Sequence, residues 1–472
     1  MTDMVRPLTL VIAGLDSGGG AGITADMLTI HDMGAYGLPC VSALTSQSLK
    51  NVYSVKATDK SLFDETLKVI FGDFEKIYAC KVGLVSHRDI LESTLTFFED
   101  DKKSHPQDGI QVVWDPVLNA TAGNLESADL KGSLSRILKV TTLFTPNLPE
   151  ALTLASWDEE RFLREGIRKL GEYFLDKGAK AVLIKGGHLQ KAVLAKDTFV
   201  SKDSFFELSK EKIKGDGAHG GGCALSSAIA AALSLGYSLE DAVILAKTYV
   251  YRGILHPAIP FNLYRPPVGH NGFNFEAADF PRLIEHKIPA KKFSFKALAV
   301  DEYFKSEAQL ENFYFFRNEN MFLENMPALN SKAVSLVILD DEANLTRIKA
   351  KGIILKRAFL KTGNLEYIKE HGLYLGVLVH GVYDLLLALN LNPSFVVLDY
   401  RFEYLSYKIS VNPDYVNDVY KDAKLYTPFL RRDFRWMQSL LTSNNIPFMV
   451  LRNSVSAVGP WAFLEDVPCV EV

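Results

Sequence analysis

Leu8-Thr9-Leu10-Val11-Ile12-Ala13-Gly14-Leu15-Asp16-Ser17-Gly18-Gly19-Gly20-Ala21-Gly22-Ile23 is the stretch on which the reading of the whole chain turns. The apolar run Leu8–Ala13 has the length and composition of a buried strand. It meets a glycine-rich loop at once, and the residues after the loop have helical period. The run is too short, and wrongly flanked, for a signal peptide. Strand, glycine loop and helix in that order put backbone amides where a ligand can approach them, at the positive end of a helix. A dinucleotide-binding loop is the nearest competing reading, but the acidic residue it needs about 20 residues on cannot be placed at the end of a second strand. A tight turn with no ligand is the bland alternative.

Outward from this stretch, short apolar runs alternate with helical segments as far as about Ala258. Leu8–Ala13, Tyr78–Val82, Val112–Trp114, Thr142–Phe144 and Ala181–Ile184 read as strands. Such alternation predicts an α/β fold with a mostly parallel sheet, whose ligands bind beyond the carboxyl ends of the strands. Between His256 and Pro289 the pattern breaks under Pro257, Pro260, Pro266, Pro267, Pro281 and Pro289. The expected division is a first domain over 1–275, a linker over 276–295 and a smaller α/β domain over 296–472, probed by strand candidates Ser335–Leu339, Gly352–Leu355, Tyr374–Val379, Phe395–Leu398 and Pro447–Leu451 and helix candidates Val382–Leu391 and Asp433–Ser443.

Bulk properties narrow the function. With 472 residues, 48% hydrophobic and 23% charged, the chain is long enough for two cores of ordinary globular character. A net charge of −4 without any block of Lys or Arg leaves no electrostatic footprint for nucleic acid or an anionic membrane, and no run reaches the roughly 20 apolar residues of a membrane span. Cys40, Cys80, Cys223 and Cys469 show no Cys-x-x-Cys spacing, which argues against a disulfide framework or a zinc site and fits a reducing cytoplasm. Small-molecule chemistry is the expectation that remains.

A second glycine cluster, Gly215-Asp216-Gly217-Ala218-His219-Gly220-Gly221-Gly222-Cys223, runs into the small-residue segment Ala224–Ala232, which reads as a packed helix. Amides of Gly220, Gly221 and Gly222 converging at its N-terminus would form an anion hole for a transferring phosphoryl group. Cys223 falls in the first turn, where a thiol pKa is expected to be lowered, which makes it a candidate catalytic base or polar contact near the substrate hydroxyl. The alternative is a buried, inert cysteine. Asp115-Pro116-Val117, Thr145-Pro146-Asn147-Leu148-Pro149-Glu150 and Lys185-Gly186-Gly187-His188 each follow a strand candidate. Singly they are turn or cap chemistry. Together they supply two carboxylates for Mg²⁺ and water, and a cation for phosphate, which is what an ATP site requires.

On these motifs, residues from Leu8 to about Phe275 resemble the hydroxymethylpyrimidine and hydroxymethylpyrimidine-phosphate kinases of thiamine biosynthesis, in the ribokinase-like superfamily. Gly14 to Asp26, Gly34-Ala35-Tyr36-Gly37, Ala43-Leu44-Thr45-Ser46-Gln47, Lys81-Val82-Gly83, Asp115-Pro116-Val117, Thr145 to Glu150, Lys185 to His188 and His219 to Ser227 carry the likeness in family order. The resemblance implies a three-layer α/β/α domain, ATP and Mg²⁺ as cofactors, a small pyrimidine as substrate and a homo-oligomer through the kinase domain. It implies that Gly14, Ala21, Asp26 and Gln47 surround the pyrimidine, that Leu84 and Val117 line its pocket, and that Asp115, Glu150 and Lys185 serve phosphates and magnesium. Cys223 stands where most of the superfamily has an aspartate base, as in the pyrimidine kinases. Gly221 stands where the family usually has threonine, which removes a hydroxyl and keeps the amide. Pyridoxal kinases share the scaffold, and Cys223 favours the pyrimidine.

Such kinases are often fused to a second thiamine enzyme, and the region from about Lys296 to Val472 resembles thiamine-phosphate synthase, a TIM barrel, through Gly352-Ile353-Ile354-Leu355, Leu375-Gly376-Val377 and Ser394-Phe395-Val396-Val397-Leu398. These are core residues. The synthase's functional positions are altered: Phe315-Phe316-Arg317-Asn318-Glu319 keeps only the arginine of a diphosphate motif, Asp340 matches one magnesium ligand, Phe359 falls at the second, and Arg452-Asn453 replaces a glycine pair. An apolar ring cannot ligate Mg²⁺, and Glu319 repels a diphosphate. A catalytically degenerate barrel is expected. A working kinase–synthase, and a sensor that binds without turnover, are the competing readings.

Overall fold

The computed structural model describes residues 6–48, 51–74, 76–106, 108–118, 128–187, 193–213, 218–257, 266–272 and 275–285, then 313–316, 334–339, 341–399, 436–446, 448–452 and 469–471. The chain forms two compact units, Val5–Ile284 and a second built chiefly on Glu285–Val472.

In the first unit the strands are β1 (Leu8–Asp16), β2 (Tyr36–Gln47), β3 (Val52–Ala57), β4 (Ala79–Val82), β5 (Gln111–Trp114), β6 (Leu143–Phe144), β7 (Ala181–Ile184), β8 (Leu194–Ser201), β9 (Phe205–Glu211) and β10 (Arg282–Glu285). They form one sheet in the order β10-β9-β8-β7-β6-β5-β4-β1-β2-β3. From β7 through β1 to β2 neighbouring strands are parallel, while β3, β8 and β9 pair antiparallel. The chain leaves β1 towards β2 and β3 and then returns to its other side with β4, so the strand order reverses at β1. An open sheet binds ligands at such a reversal, beyond the strand ends.

Two helix layers cover the sheet. Helices α2 (Lys60–Asp73), α3 (Arg88–Ser104), α4 (Leu134–Val140), α5 (Leu148–Ala155) and α6 (Glu159–Asp176) pack on the face carrying Leu10, Ile12, Cys80, Val82, Trp114 and Phe144. Side chains alternate along a strand, so Val11, Lys81 and Val113 point to the opposite face. There lie α1 (Gly22–Met33), α7 (Gly221–Ser234) and α8 (Leu239–Leu255). Ala224 to Ser234 of α7 are all buried. Their small side chains let α7 approach the sheet, α1 and α8 closely, which is why a helix so poor in large residues is stable here.

The strands expected from apolar runs in this unit appear within one to three residues of their expected ends. β2, β3, β8, β9 and β10 were not legible: β3 and β10 are edge strands, β8 and β9 pair antiparallel, and β2, although paired in parallel with β1, is interrupted by Pro39 and small polar residues. The first unit also runs beyond residue 275: β10 joins its sheet next to β9, and Arg252 of α8 is 2.8 Å from Asp279. Proline-rich text does not end a domain when its backbone still pairs at a sheet edge.

The second unit holds β11 (Phe313–Phe316), β12 (Val334–Ile338), β13 (Gly352–Leu355), β14 (Tyr374–Val379), β15 (Phe395–Asp399), β16 (Phe448–Arg452) and β17 (Cys469–Glu471), all parallel and adjacent in chain order. Helices α9 (Thr362–Glu370) and α10 (Val382–Leu391) connect neighbouring strands. Among the described residues, no helix is long and apolar enough to cross a membrane.

Candidate functional site

β1 ends in the loop that opens α1, and the loop's shape follows from its glycines. Gly22 has φ of 56°, and a Cβ there would lie 2.2 Å from the Gly14 carbonyl oxygen. The loop is tied from inside by Asp16, whose carboxylate accepts from the amides of Gly18 (2.8 Å) and Ala21 (2.9 Å). Asp16 Oδ2 also receives His219 Nε2 at 2.9 Å, with both side chains almost fully buried. Burial alone would raise the Asp16 carboxyl, but the His219 hydrogen bond and the two amides hold it below its ordinary value.

His219 begins the second glycine loop, so this pair joins the two loops across 203 residues of sequence. Gly220 adopts φ of 78°, and a Cβ on it would meet the Gly20 carbonyl oxygen at 1.8 Å. Only glycine fits there. Gly221 and Gly222 open α7. Gly222 faces the Lys185 Nζ and Asp115, at 3.4 Å and 3.9 Å from where its Cβ would be, whereas nothing lies closer than 4.0 Å to a Cβ at Gly221. Gly215, Gly217 and His188 lie outside the described residues.

Beyond β5, β6 and β7 the structure brings three of the expected residues together. Lys185 Nζ donates to Asp115 Oδ1 at 2.6 Å, with the lysine 12% and the aspartate 4% exposed. Burial would lower the lysine pKa, but Asp115 and then Glu150 raise it. Glu150 closes a capping box on α5: its Oε2 accepts from the Asn147 amide and its own amide donates to Asn147 Oδ1, both at 2.8 Å. Burial, only partly countered by Lys185, pushes the Glu150 carboxyl up to about 7. Ser226 of α7 reaches Asp115 Oδ2 at 3.4 Å, which links this cluster to the glycine loop.

Cys223 is half-buried in the first turn of α7. The expected lowering of its pKa is not what the structure gives: burial pushes the thiol up to about 11, and nearby Lys81 offsets only part of that. Removing a thiolate from water costs more than one buried cation and a helix terminus return when Asp26 and Asp115 lie close as well.

Asp26 is fully buried on α1, where Lys81 Nζ donates to one oxygen at 2.6 Å and Ser227 Oγ to the other at 2.7 Å. Its carboxylate is thus engaged with the protein from both sides. Burial would lower the Lys81 pKa, but Asp26, with Cys223 and Asp115 further away, raises it, so Lys81 stays a cation. Of the other expected residues, Leu84 packs on Gly14, where a Cβ would come within 2.9 Å of its Cδ2. Val117 is half-buried and follows Asp115, and Gln47 sits at the end of β2 with its Nε2 3.4 Å from His219 Nε2. Ala21 is half-buried at the N-cap of α1, its amide taken by Asp16.

Sequence reading passed over Lys81, His219, Ser226 and Ser227 as individuals. One signal was present: a lysine inside the apolar run Ala79-Cys80-Lys81-Val82 must have a buried partner. The partner itself is 55 residues away and could not be named. Another buried pair, Lys247 to Asp197 at 2.5 Å, supports the segment after Lys185, since Asp197 Oδ1 accepts from the Gly186 amide at 3.0 Å.

Among the described residues no cluster of three His, Cys, Asp or Glu side chains could hold a metal by itself. Asp115 and Glu150 nevertheless fit Mg²⁺, which commonly takes one or two carboxylates and completes its shell with phosphate and water. In the second unit, Arg317, Glu319, Asp340 and Asn453 lie outside the described residues. Phe359 ends a short 3₁₀ turn after β13, and Arg452 ends β16.

Residues 16–267 match the phosphomethylpyrimidine kinase family. The hydroxymethylpyrimidine/phosphomethylpyrimidine kinase of Rhizobium meliloti (strain 1021) is 35% identical over 253 residues, covering 52% of this chain and 90% of the relative. That of Aquifex aeolicus (strain VF5) is 34% identical over 249 residues, covering 52% and 94%. Among solved structures, the pyridoxal kinase from Staphylococcus aureus in complex with ADP superposes with a TM-score of 0.51 at 25% identity, covering 59% of this chain and 99% of that one. The same enzyme in complex with AMP-PCP and pyridoxal gives 0.50 at 25%. With a family match over more than half its length, on the unit that carries the paired glycine loops and the Asp115–Lys185 contact, the chain belongs to the phosphomethylpyrimidine kinase family.

Proposed function

We propose that the first unit transfers the γ-phosphoryl group of ATP to the hydroxymethyl oxygen of 4-amino-5-hydroxymethyl-2-methylpyrimidine, and then a second phosphoryl group to its monophosphate. The observation that carries this reading is the Lys185–Asp115 contact at the N-terminus of α7, beside the Gly220–Gly222 amides. Lysine, helix dipole and converging amides stabilise negative charge on a phosphoryl group as it leaves ATP. Asp115 and Glu150 would hold Mg²⁺, which when bound neutralises phosphate charge. Gln47, Leu84 and Val117, with Gly14 and Ala21, would surround the ring.

Cys223 would touch the substrate hydroxyl. With its thiol pushed up to about 11, it is protonated at neutral pH and a poor proton acceptor, so positioning and electrostatics carry the rate. Asp26 would act from behind, through Lys81 and Ser227. The second unit reads as a degenerate thiamine-phosphate-synthase-like barrel: the seven parallel strands among its described residues follow one another in chain order, as strands of such a barrel do.

The test is magnesium-dependent ADP release with hydroxymethylpyrimidine, its monophosphate and pyridoxal as separate substrates. Turnover on both pyrimidines with little on pyridoxal is expected. Preference for pyridoxal would move the chain to the neighbouring specificity, and ATP binding without turnover on any of the three would leave a sensor.

A further inference from the structure

Asp16, His219 and Gln47 form a line whose hydrogen-bond polarity is forced. Asp16 accepts from two backbone amides and lies 2.9 Å from His219 Nε2. An ionised carboxylate only accepts, so His219 Nε2 carries hydrogen whether the ring is neutral or charged. Gln47 Nε2, also a donor, is drawn 3.4 Å from that same nitrogen. Two donors facing each other repel. The two ends of a carboxamide are nearly the same size, and the hydrogen-bond network decides between them. Turned about, Gln47 sets Oε1 against His219, which donates to both acceptors, and sends its NH₂ group the other way.

His219 cannot yield instead. Its main chain is held on both sides, by the Pro266 carbonyl oxygen and the Val268 amide. Its ring packs so tightly on Gly20 that a Cβ there would lie 2.3 Å from Cδ2. The His219 and Asp16 side chains are 5% and 3% exposed, so water does not compete for their bond.

We infer that His219, set by Asp16, is a positioning residue that turns the Gln47 carboxamide so that it presents N–H donors to the substrate, selecting a ring with an acceptor nitrogen at that edge. This rests on the pyrimidine-kinase reading for the identity of the ring. The donor polarity itself follows from the three side chains.

Gln47→Glu keeps the shape of the side chain and removes the donor. It should raise KM for the pyrimidine by about tenfold or more, with KM for ATP within about twofold of wild type. An analogue with CH in place of the ring nitrogens should bind wild type and Gln47→Glu equally. His219→Ala should raise the pyrimidine KM in the wild-type background and much less in a Gln47→Ala background. Asp16→Asn, which removes the acceptor-only partner, should show the same KM signature should His219→Ala fold poorly. Calorimetric binding of the pyrimidine separates this inference from the kinase reading: binding that Gln47→Glu weakens in a chain without turnover would sustain the inference and sink the reading. An unchanged pyrimidine KM in Gln47→Glu, additive effects of His219→Ala and Gln47→Ala, or no pyrimidine binding by wild type would each overturn it.

Discussion

At Lys185 the proposed chemistry depends on one ammonium held against one carboxylate. Replacing it by alanine removes the only positive side chain the proposal places on the transferring phosphoryl group. Lys185→Ala should lower kcat by about 10²–10³, the scale of losing one preorganised charge-stabilising donor, and should also lower the melting temperature, because Asp115 is left buried without its partner. Cys223→Ala should cost less than about tenfold, since a thiol near 11 supplies no base at neutral pH. A larger loss in a folded variant would restore Cys223 as proton acceptor. Gly221 is instructive in the other direction, because its φ is not in the left-handed region and its Cβ direction is open. Gly221→Thr should therefore be tolerated. If the added hydroxyl reaches phosphate, kcat/KM should rise by about 2- to 10-fold, one neutral hydrogen bond's worth.

Glu150 shows how local sequence and tertiary burial divide a residue's behaviour. Its setting as turn or cap chemistry was legible in Thr145-Pro146-Asn147-Leu148-Pro149-Glu150, and the structure makes that a capping box. Its raised pKa was not legible, since that comes from burial beside Asp115 and Lys185. The folded protein keeps a proton on Glu150 up to about pH 7, while the unfolded chain releases it near the ordinary value of 4.5. Stability from this group is thus full at the low end of that interval and falls as pH rises through it. Urea midpoints measured from about pH 4 to pH 8 should decline more steeply for wild type than for Glu150→Gln. Parallel curves would remove Glu150 from the pH dependence.

Among the elements, α1, β4 and α7 are pinned by Asp26, Lys81 and Ser227 at a point that no water reaches. Breaking such a pair leaves a lone buried charge. Asp26→Leu or Lys81→Met alone should cost about 3–5 kcal/mol in urea unfolding, whereas the double variant should recover much of the loss. Additive losses would mean that the two charges do not stabilise each other. The same elements show what pattern reading catches. β4 was found because Tyr78–Val82 is an apolar run, but the lysine within it was legible only as an anomaly. β8 and β9 escaped because their pairing is antiparallel and their exposed residues dilute the pattern.

For the whole molecule, the first unit carries all the residues of the proposed site and closes its sheet at β10. A chain ending just after Glu285 should keep kinase turnover within a few fold of the full protein, measured as ADP release. A chain ending at Phe275 should fare worse, because it lacks β10 and the Asp279 partner of Arg252. Equal activity for both would show β10 to be dispensable.

The glycine loops, the order of the strand-end motifs and the mostly parallel α/β class were all written locally in the sequence, because turn chemistry and hydrophobic period are short-range properties. The family likeness rests on the same local text. Tertiary structure alone decided that Asp16 meets His219, that Lys81 stays charged beneath α7, that the Cys223 thiol is held up and that β10 belongs to the first sheet. Each depends on groups brought together from distant parts of the chain and on how far water is excluded between them, and neither quantity is expressed in any single stretch of residues.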